Sequence, residues 1–179
     1  MTEPTEAFDT IMASLDSPMA VVTTALDGER AGCLIGFQAQ SSIDPRRYCL
    51  WLSKANHTYR VALRSRYLGV HLLTETDADH DLARRFGTLT GDEVDKFAGL
   101  AVTTEAHDVP LLDSCSNRLV VRRIALLDEG GDHVCITTEP IGAETSGPFR
   151  PLRLSAVSHL VPGHRTDERP VPPTLAARS

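Results

Sequence analysis

The 179-residue chain is long enough for one domain with a substantial core, and its 41% hydrophobic and 23% charged residues are ordinary for a soluble globular protein. A formal net charge of -6, with basic residues interspersed among acids, excludes a general nucleic-acid or anionic-membrane surface. No apolar run is long enough to span a bilayer, and the acidic opening MTEPTEAFDT lacks the basic region and apolar core of a signal peptide. Cys33, Cys49, Cys115 and Cys135 are widely spaced, three of them among apolar strand residues, and they form no CxxC pair. Buried, reduced thiols in a cytoplasmic protein are therefore expected, with no disulfide framework and no structural zinc.

Phe8, Ile11, Met12 and Leu15 recur at helical spacing, which predicts a short amphipathic helix over residues 3–15, broken by Ser17-Pro18. Residues 19–26 are a β-branched run ending at Asp27-Gly28, a hairpin turn signal. The next strand is expected over residues 30–40, with Gly32 and Gly36 marking a bulge or a close backbone approach. A third strand follows the Ile43-Asp44-Pro45 turn at residues 48–52. His57-Thr58 opens a helical pattern carrying Tyr59, Ala62 and Leu63 on one side, with Asn56 or Thr58 as its cap. Residues 67–73 read as a fourth strand, and residues 77–86 as a helix begun by acids and ended by Gly87. A short helical piece is expected to end near Phe97. Strands are expected at residues 101–104, 118–128, 133–139 and 152–160, with residues 129–132 as a hairpin loop.

The domain is thus expected to span residues 1–161. Residues 162–179, rich in Pro and Arg, form a tail that is mobile or lies on a partner subunit. Many short strands with a few short helices predict a mainly β fold, an antiparallel barrel with helical additions. No GxGxxG follows a strand, so no Rossmann domain is expected to hold a dinucleotide.

Two stretches at strand ends carry candidate chemistry. Gln38, Gln40 and Ser42 alternate along a strand and so share one face. That face either meets solvent or lines a cleft, with backbone N–H groups over residues 36–40 turned toward a ligand. Ser53, Lys54, His57 and Thr58 place hydroxyl, ammonium and imidazole groups just before a helix N-terminus, where backbone N–H groups and the helix dipole attract anions. The alternative reading is an ordinary helix cap beside a solvated lysine. His133 follows a Gly130-Gly131-Asp132 turn; His71 and His80 have no ligand-spaced partner, so no metal site is expected. Asp81, Arg84 and Arg85 read as a solvated helix face, and Phe86 and Phe97 as core. No G-x-S-x-G elbow supports a hydrolase.

Taken together, MAVVTT, GCLIGFQAQSSIDP, SKANHT, LARRFG, DKFAG, the Pro110-Leu111 step and Gly131-Asp132-His133 resemble, in order and spacing, the flavin reductase family of FMN-binding split barrels. The similarity is greatest to the reductase components of two-component monooxygenases. The resemblance implies an antiparallel, Greek-key split β-barrel that forms a homodimer with flavin sites near the subunit interface. It implies NADH- or NADPH-dependent reduction of FMN or FAD, with reduced flavin passed to a partner monooxygenase. It assigns Gly36, Phe37, Gln38, Ala39, Gln40, Ser41 and Ser42 to the isoalloxazine edge. Ser53, Lys54, Ala55, Asn56, His57 and Thr58 fall to the phosphate or ribityl chain, Phe86 and Gly87 to the region closing over the cofactor, and His133 to the nicotinamide. One departure stands out: many members of the family it resembles carry Thr-x-Asn-Ser where this chain has Leu34-Ile35-Gly36-Phe37, so Gln38, Gln40 and backbone N–H groups must take over the ring contacts. Asp44-Pro45-Arg46 likewise replaces a Pro-Pro step. The alternatives are a flavin carrier without turnover, a deazaflavin-dependent oxidoreductase of the same fold, and a purely structural dimer.

Overall fold

The first β-branched run is buried on both faces, and that fact explains how the domain is layered. The computed structural model describes residues 3–104 and 106–163, and β1 (Ala20–Leu26) is buried from Ala20 through Thr24. Ala20 and Val22 point into one core; Met19, just before the strand, and Val21 point into another. A strand covered on both sides needs a continuous apolar run in place of alternation. Its two interior hydroxyls are satisfied, Thr23 donating to the Pro110 carbonyl at 2.6 Å and Thr24 to the Tyr67 carbonyl at 2.8 Å.

Around β1 stand β2 (Glu29–Ile35), β3 (Gln38–Ser42), β4 (Arg47–Ser53), β5 (Tyr67–Leu72), β8 (Arg118–Leu127) and β9 (His133–Glu144). They form one antiparallel sheet in the order β2-β1-β5-β8-β9-β4-β3. The single strand expected over residues 30–40 is thus two strands. The chain leaves β2 at one edge of the sheet and enters β3 at the opposite edge, with only Gly36 and Phe37 between. Two residues can join opposite edges only if the sheet curls until they meet, which closes a barrel. The Trp51 N–H donates to the Phe37 carbonyl at 3.0 Å and pins this seam. A Cβ on Gly36 would lie 3.3 Å from Met19 Sδ, so a side chain here would crowd the seam.

The barrel interior holds Val22, Cys33, Ile35, Leu50, Leu52, Leu68, Val70, Val121, Val134 and Ile136. The helix α2 (His57–Arg64) adds Tyr59 and Ala62 to the same core. Outside the barrel, α3 (Asp77–Thr88) sets Leu82, Ala83 and Phe86 against Met19, Val21 and Leu152. Each large apolar side chain buried this way contributes roughly 1.5–3 kcal/mol. The amphipathic α1 (Pro4–Leu15) forms as expected but buries none of its residues: Phe8, Ile11, Met12 and Leu15 all remain exposed.

Several boundaries differ from the sequence reading for local reasons. Gly87 lies inside α3, where a Cβ would come within 3.0 Å of Leu34 Cδ2; it permits close approach to β2 and does not end the helix. Residues 90–97 are turns, not a helix, because Thr90 Oγ1 takes the Asp92 N–H and Asp95 Oδ1 takes the Phe97 N–H. Asp81 and Arg84 pair on the solvated face, but Arg85 turns back to the Lys96 and Ala98 carbonyls. Residues 152–160 hold no strand. Leu152 bonds Met19, just before β1, and Leu73, just after β5, through its backbone, and α4 (Leu154–Val157) then starts where the Asp16 carboxylate accepts from the Ser155 N–H and hydroxyl. The short strands β6 (Val102–Thr104) and β7 (Pro110–Leu112) pair with each other; β7 packs on β1 and β5 and went unpredicted. All four cysteines are buried and free. No helix among the described residues is long and apolar enough to cross a membrane. Residues 164–179 of the expected tail lie outside the described residues.

Candidate functional site

Strand register brings four of the expected residues to one end of the barrel. Ser53, the last residue of β4, pairs with His133, the first of β9, and the Lys54 N–H donates to the Asp132 carbonyl at 2.9 Å. Phe37, at the seam, sets its ring edge-on to His133, with centroids 5.1 Å apart and planes at 63°. Lys54 Nζ lies 2.8 Å from Asp128 Oδ1 at the β8–β9 hairpin. His133 Nδ1 lies 2.8 Å from Asp132 Oδ1. An Nδ1–H donated to that carboxylate leaves Nε2 as the acceptor of the neutral ring. The bond from His133 holds the Asp132 carboxyl below its ordinary pKa, and the bond from Lys54 does the same for Asp128. The result is an aromatic corner next to a lysine, with both polar groups held in place by carboxylates.

The polar shelf is less open than its pattern suggests. Gln38 is committed through both ends of its amide, Nε2 donating to the Pro18 carbonyl at 2.9 Å and Oε1 accepting from the Tyr48 hydroxyl. Gln38 and Gln40 pair with Leu50 and Tyr48, and a register shift between Gln40 and Ser42 interrupts the shared face. Ala39, Gln40 and Ser41 are exposed, and Ser41 Oγ accepts from the Cys49 thiol at 3.2 Å. What stays available is backbone, because β3 is an edge strand and, among the described residues, one row of its N–H and C=O groups has no sheet partner.

The loop before α2 divides into two directions. Asn56 caps the helix, its Oδ1 accepting from the Thr58 N–H at 3.1 Å, while Ala55 is buried. Thr58 is also buried, with its hydroxyl against the Cys33 thiol, so it presents no hydroxyl to a ligand. His57 faces the other way. Its Nε2 lies 3.2 Å from Glu29 Oε1 and its Nδ1 3.2 Å from Asp92 Oδ1, while Arg60 bonds Asp92 and Arg64 bonds Glu29. These side chains edge a cleft of about 470 Å³ lined by residues 28–32 and 91–97 together with His57. Buried Lys96 forms part of that wall, its Nζ donating to the Gly32 and Phe86 carbonyls at 3.1 Å each, and burial lowers its pKa. Phe86, only 1% exposed, packs its ring on Phe97 and Gly32, so it shapes the wall from behind without surfacing.

Sequence reasoning passed over the carboxylates that hold these groups. Glu29, Asp92 and Asp128 lie 28, 35 and 74 positions from the side chains they face, a separation no local pattern reports. Only the adjacent Asp132-His133 pair was visible. No group of three or more His, Cys, Asp or Glu among the described residues could hold a metal ion.

Among solved structures, the chain is similar to flavin reductase HpaC complexed with NADP+, at 21% identity over 83% of this chain and 92% of that one, with a TM-score of 0.71. It is similar to NADH:FAD oxidoreductase SgcE6 of Streptomyces globisporus C-1027, at 19% identity over 85% and 96% of the two chains, TM-score 0.68. It also matches a nitrilotriacetate monooxygenase component B homologue of Mycobacterium thermoresistibile, at 21% identity over 83% and 80%, TM-score 0.71. A longer oxidoreductase-like protein of Sinorhizobium meliloti 1021 has a TM-score of 0.73, but this chain spans only 51% of it. These likenesses share the curled antiparallel barrel. No curated protein matches by sequence. The family model for the flavin reductase like domain matches residues 12–153, and the chain therefore belongs to that oxidoreductase family, the one its sequence resembles.

Proposed function

We propose that the chain is an NAD(P)H-dependent flavin reductase that acts as a homodimer. The observation that carries the reading is the convergence of Phe37, just before β3, Lys54, just after β4, and His133, at the start of β9, at one end of the barrel. The donor set suits a flavin. The aromatic corner and the unpaired β3 edge match a flat ring with polar heteroatoms, and Lys54 matches a phosphate. Flavin, when bound, supplies the redox chemistry by taking a hydride at N5 from nicotinamide C4.

Everything else is alignment. His133, oriented by Asp132, positions the nicotinamide. Backbone N–H groups along residues 36–40 stabilise negative charge on the reduced ring. Lys54, released from Asp128, meets the phosphate end, and the loop at residues 53–58 wraps it. His57 reaches that phosphate only when freed from Asp92 and Glu29. Phe86 and Gly87 act from behind, setting the distance between α3 and β2. Hydride transfer at this geometry requires no general acid.

Exposed Phe8, Ile11, Met12 and Leu15 on α1, with Ile124 and Leu127 on β8, supply apolar surface for the second subunit. A monooxygenase that consumes reduced flavin is the proposed partner, in line with the monooxygenase component among the similar structures. Steady oxidation of NADH or NADPH on addition of FMN or FAD tests the reading. Flavin binding without nicotinamide oxidation would leave the carrier, a reading favoured by the missing side-chain donors at residues 34–37.

A further inference from the structure

We propose that Phe37 is a positioning residue that holds a planar, electron-poor heteroaromatic ring against His133 by stacking; this deepens the reductase reading and rests on it. Leu34, Ile35 and Gly36 offer a ring no side-chain hydrogen bond, and Gln38 is spent on Pro18 and Tyr48. Recognition at this seam must therefore come from backbone groups and from aromatic surface. Phe37 supplies that surface. It is 55% exposed, yet it is not a loose side chain: its carbonyl is held by the Trp51 N–H, and its ring meets His133 edge-on. His133 is in turn held by Asp132. The two rings, 5.1 Å apart between centroids and inclined at 63°, form an angled aromatic corner against which a flat ring stacks at the offset geometry that aromatic quadrupoles prefer. An electron-poor ring, such as oxidised isoalloxazine or nicotinamide, is the better complement to a phenyl face.

The test compares wild type with Phe37→Ala, Phe37→Leu and Phe37→Tyr, all in the full-length protein. Flavin affinity is read by quenching of FMN fluorescence, and nicotinamide binding by the KM for NADH at saturating flavin. Phe37→Ala and Phe37→Leu are expected to weaken one of the two by about tenfold, with Phe37→Tyr within about twofold of wild type. Leucine keeps the apolar bulk and loses the π face, so a purely space-filling role would leave Phe37→Leu unchanged. A loss confined to flavin quenching identifies isoalloxazine as the stacked ring; a loss confined to the KM for NADH identifies nicotinamide. The proposal is overturned if both parameters hold in Phe37→Ala and Phe37→Leu. It is also overturned if those variants only shift the monomer–dimer balance in sedimentation while affinity at matched dimer concentration holds. Wild type that binds neither ring would sink the reductase reading itself, a result distinct from either of these.

Discussion

Acid should weaken this fold through a single buried histidine. His71, in β5, is fully buried, and its two ring nitrogens make opposite bonds: Leu112 N–H donates to Nε2 at 3.0 Å, and Nδ1 faces the Val21 carbonyl at 3.1 Å. Only the neutral ring with its proton on Nδ1 satisfies both. Protonating Nε2 would set N–H against N–H beside Arg118, its register partner on β8. Burial accordingly pushes its pKa from 6.5 down to about 4. The sign follows from proton counts. Between pH 6.5 and pH 4 the unfolded chain holds a proton on this residue and the native state does not, so lowering the pH favours unfolding. Within that window the slope approaches about 1.4 kcal/mol per pH unit, and integration from pH 7 to pH 5 gives a loss of about 1.8 kcal/mol. Urea unfolding of wild type and His71→Gln at pH 7, 6 and 5 isolates the effect, because other titrating groups are common to both proteins. His71→Gln is destabilised at pH 7, and its gap to wild type should narrow by about 1.8 kcal/mol at pH 5. A gap that stays constant across the series would refute the buried neutral tautomer.

Other perturbations follow from the same contacts. Leu50→Ala, at the centre of the barrel core, should cost about 2–5 kcal/mol in urea unfolding. Gly69→Ala would drive a Cβ to 2.6 Å from Thr23 Oγ1 and 3.2 Å from Leu111 Cδ2, and should lower stability by about 1–3 kcal/mol on the same assay. Lys54→Ala should leave stability within about 1 kcal/mol, because the Asp128 pair lies near the surface, yet weaken FMN binding by roughly 10- to 100-fold in a fluorescence titration. Asp92→Asn removes the carboxylate that competes for His57 and Arg60, and should tighten FMN binding by about threefold or more; an unchanged Kd would place His57 away from the phosphate.

The sequence carried the elements further than their arrangement. β1, β4, β5, β8 and α2 were legible because each keeps its own period: a strand buried on both faces reads as an apolar run, and an Asn cap opens a helix. The seam was not. Residues 30–40 have strand composition throughout, and what divides them is a partner change at Gly36-Phe37 that depends on where the sheet edges meet. Gly36 marked the place, since a glycine within a strand signals close approach. The C-terminal end of α3, the non-helical 90–97 segment and the helical start after residue 152 were misread for a related reason. Thr90, Asp95 and Asp16 satisfy backbone groups that a periodicity argument leaves to the helix. At the site, Lys54 and the adjacent Asp132-His133 pair were visible as residue types, but the carboxylate partner of Lys54 arrives from the distant β8–β9 hairpin. Gln38 was chosen for its polarity, and only the Pro18 and Tyr48 contacts reveal that its amide is already used.

The seam also explains how the side chains of residues 34–37 can vary while the fold is kept. The bond that fixes residues 36–38 runs from the Trp51 N–H to the Phe37 carbonyl, and a backbone bond is indifferent to the side chain it passes. Leu34 and Ile35 serve packing, Ile35 inward to the barrel core and Leu34 outward against α3. Phe37 is the one side chain there left half in solvent, so it can change character without cost to either core. Substituting aromatic surface for hydrogen-bonding side chains trades directional contacts for a stacking contact that tolerates any flat ring of suitable size. Discrimination between flavins would then shift to the phosphate end, where Lys54 already pairs with Asp128 and, on the other side of the loop, Arg60 and His57 hold Asp92. A ligand must exchange those pairs for its own, and only an anion placed correctly at that end can do so.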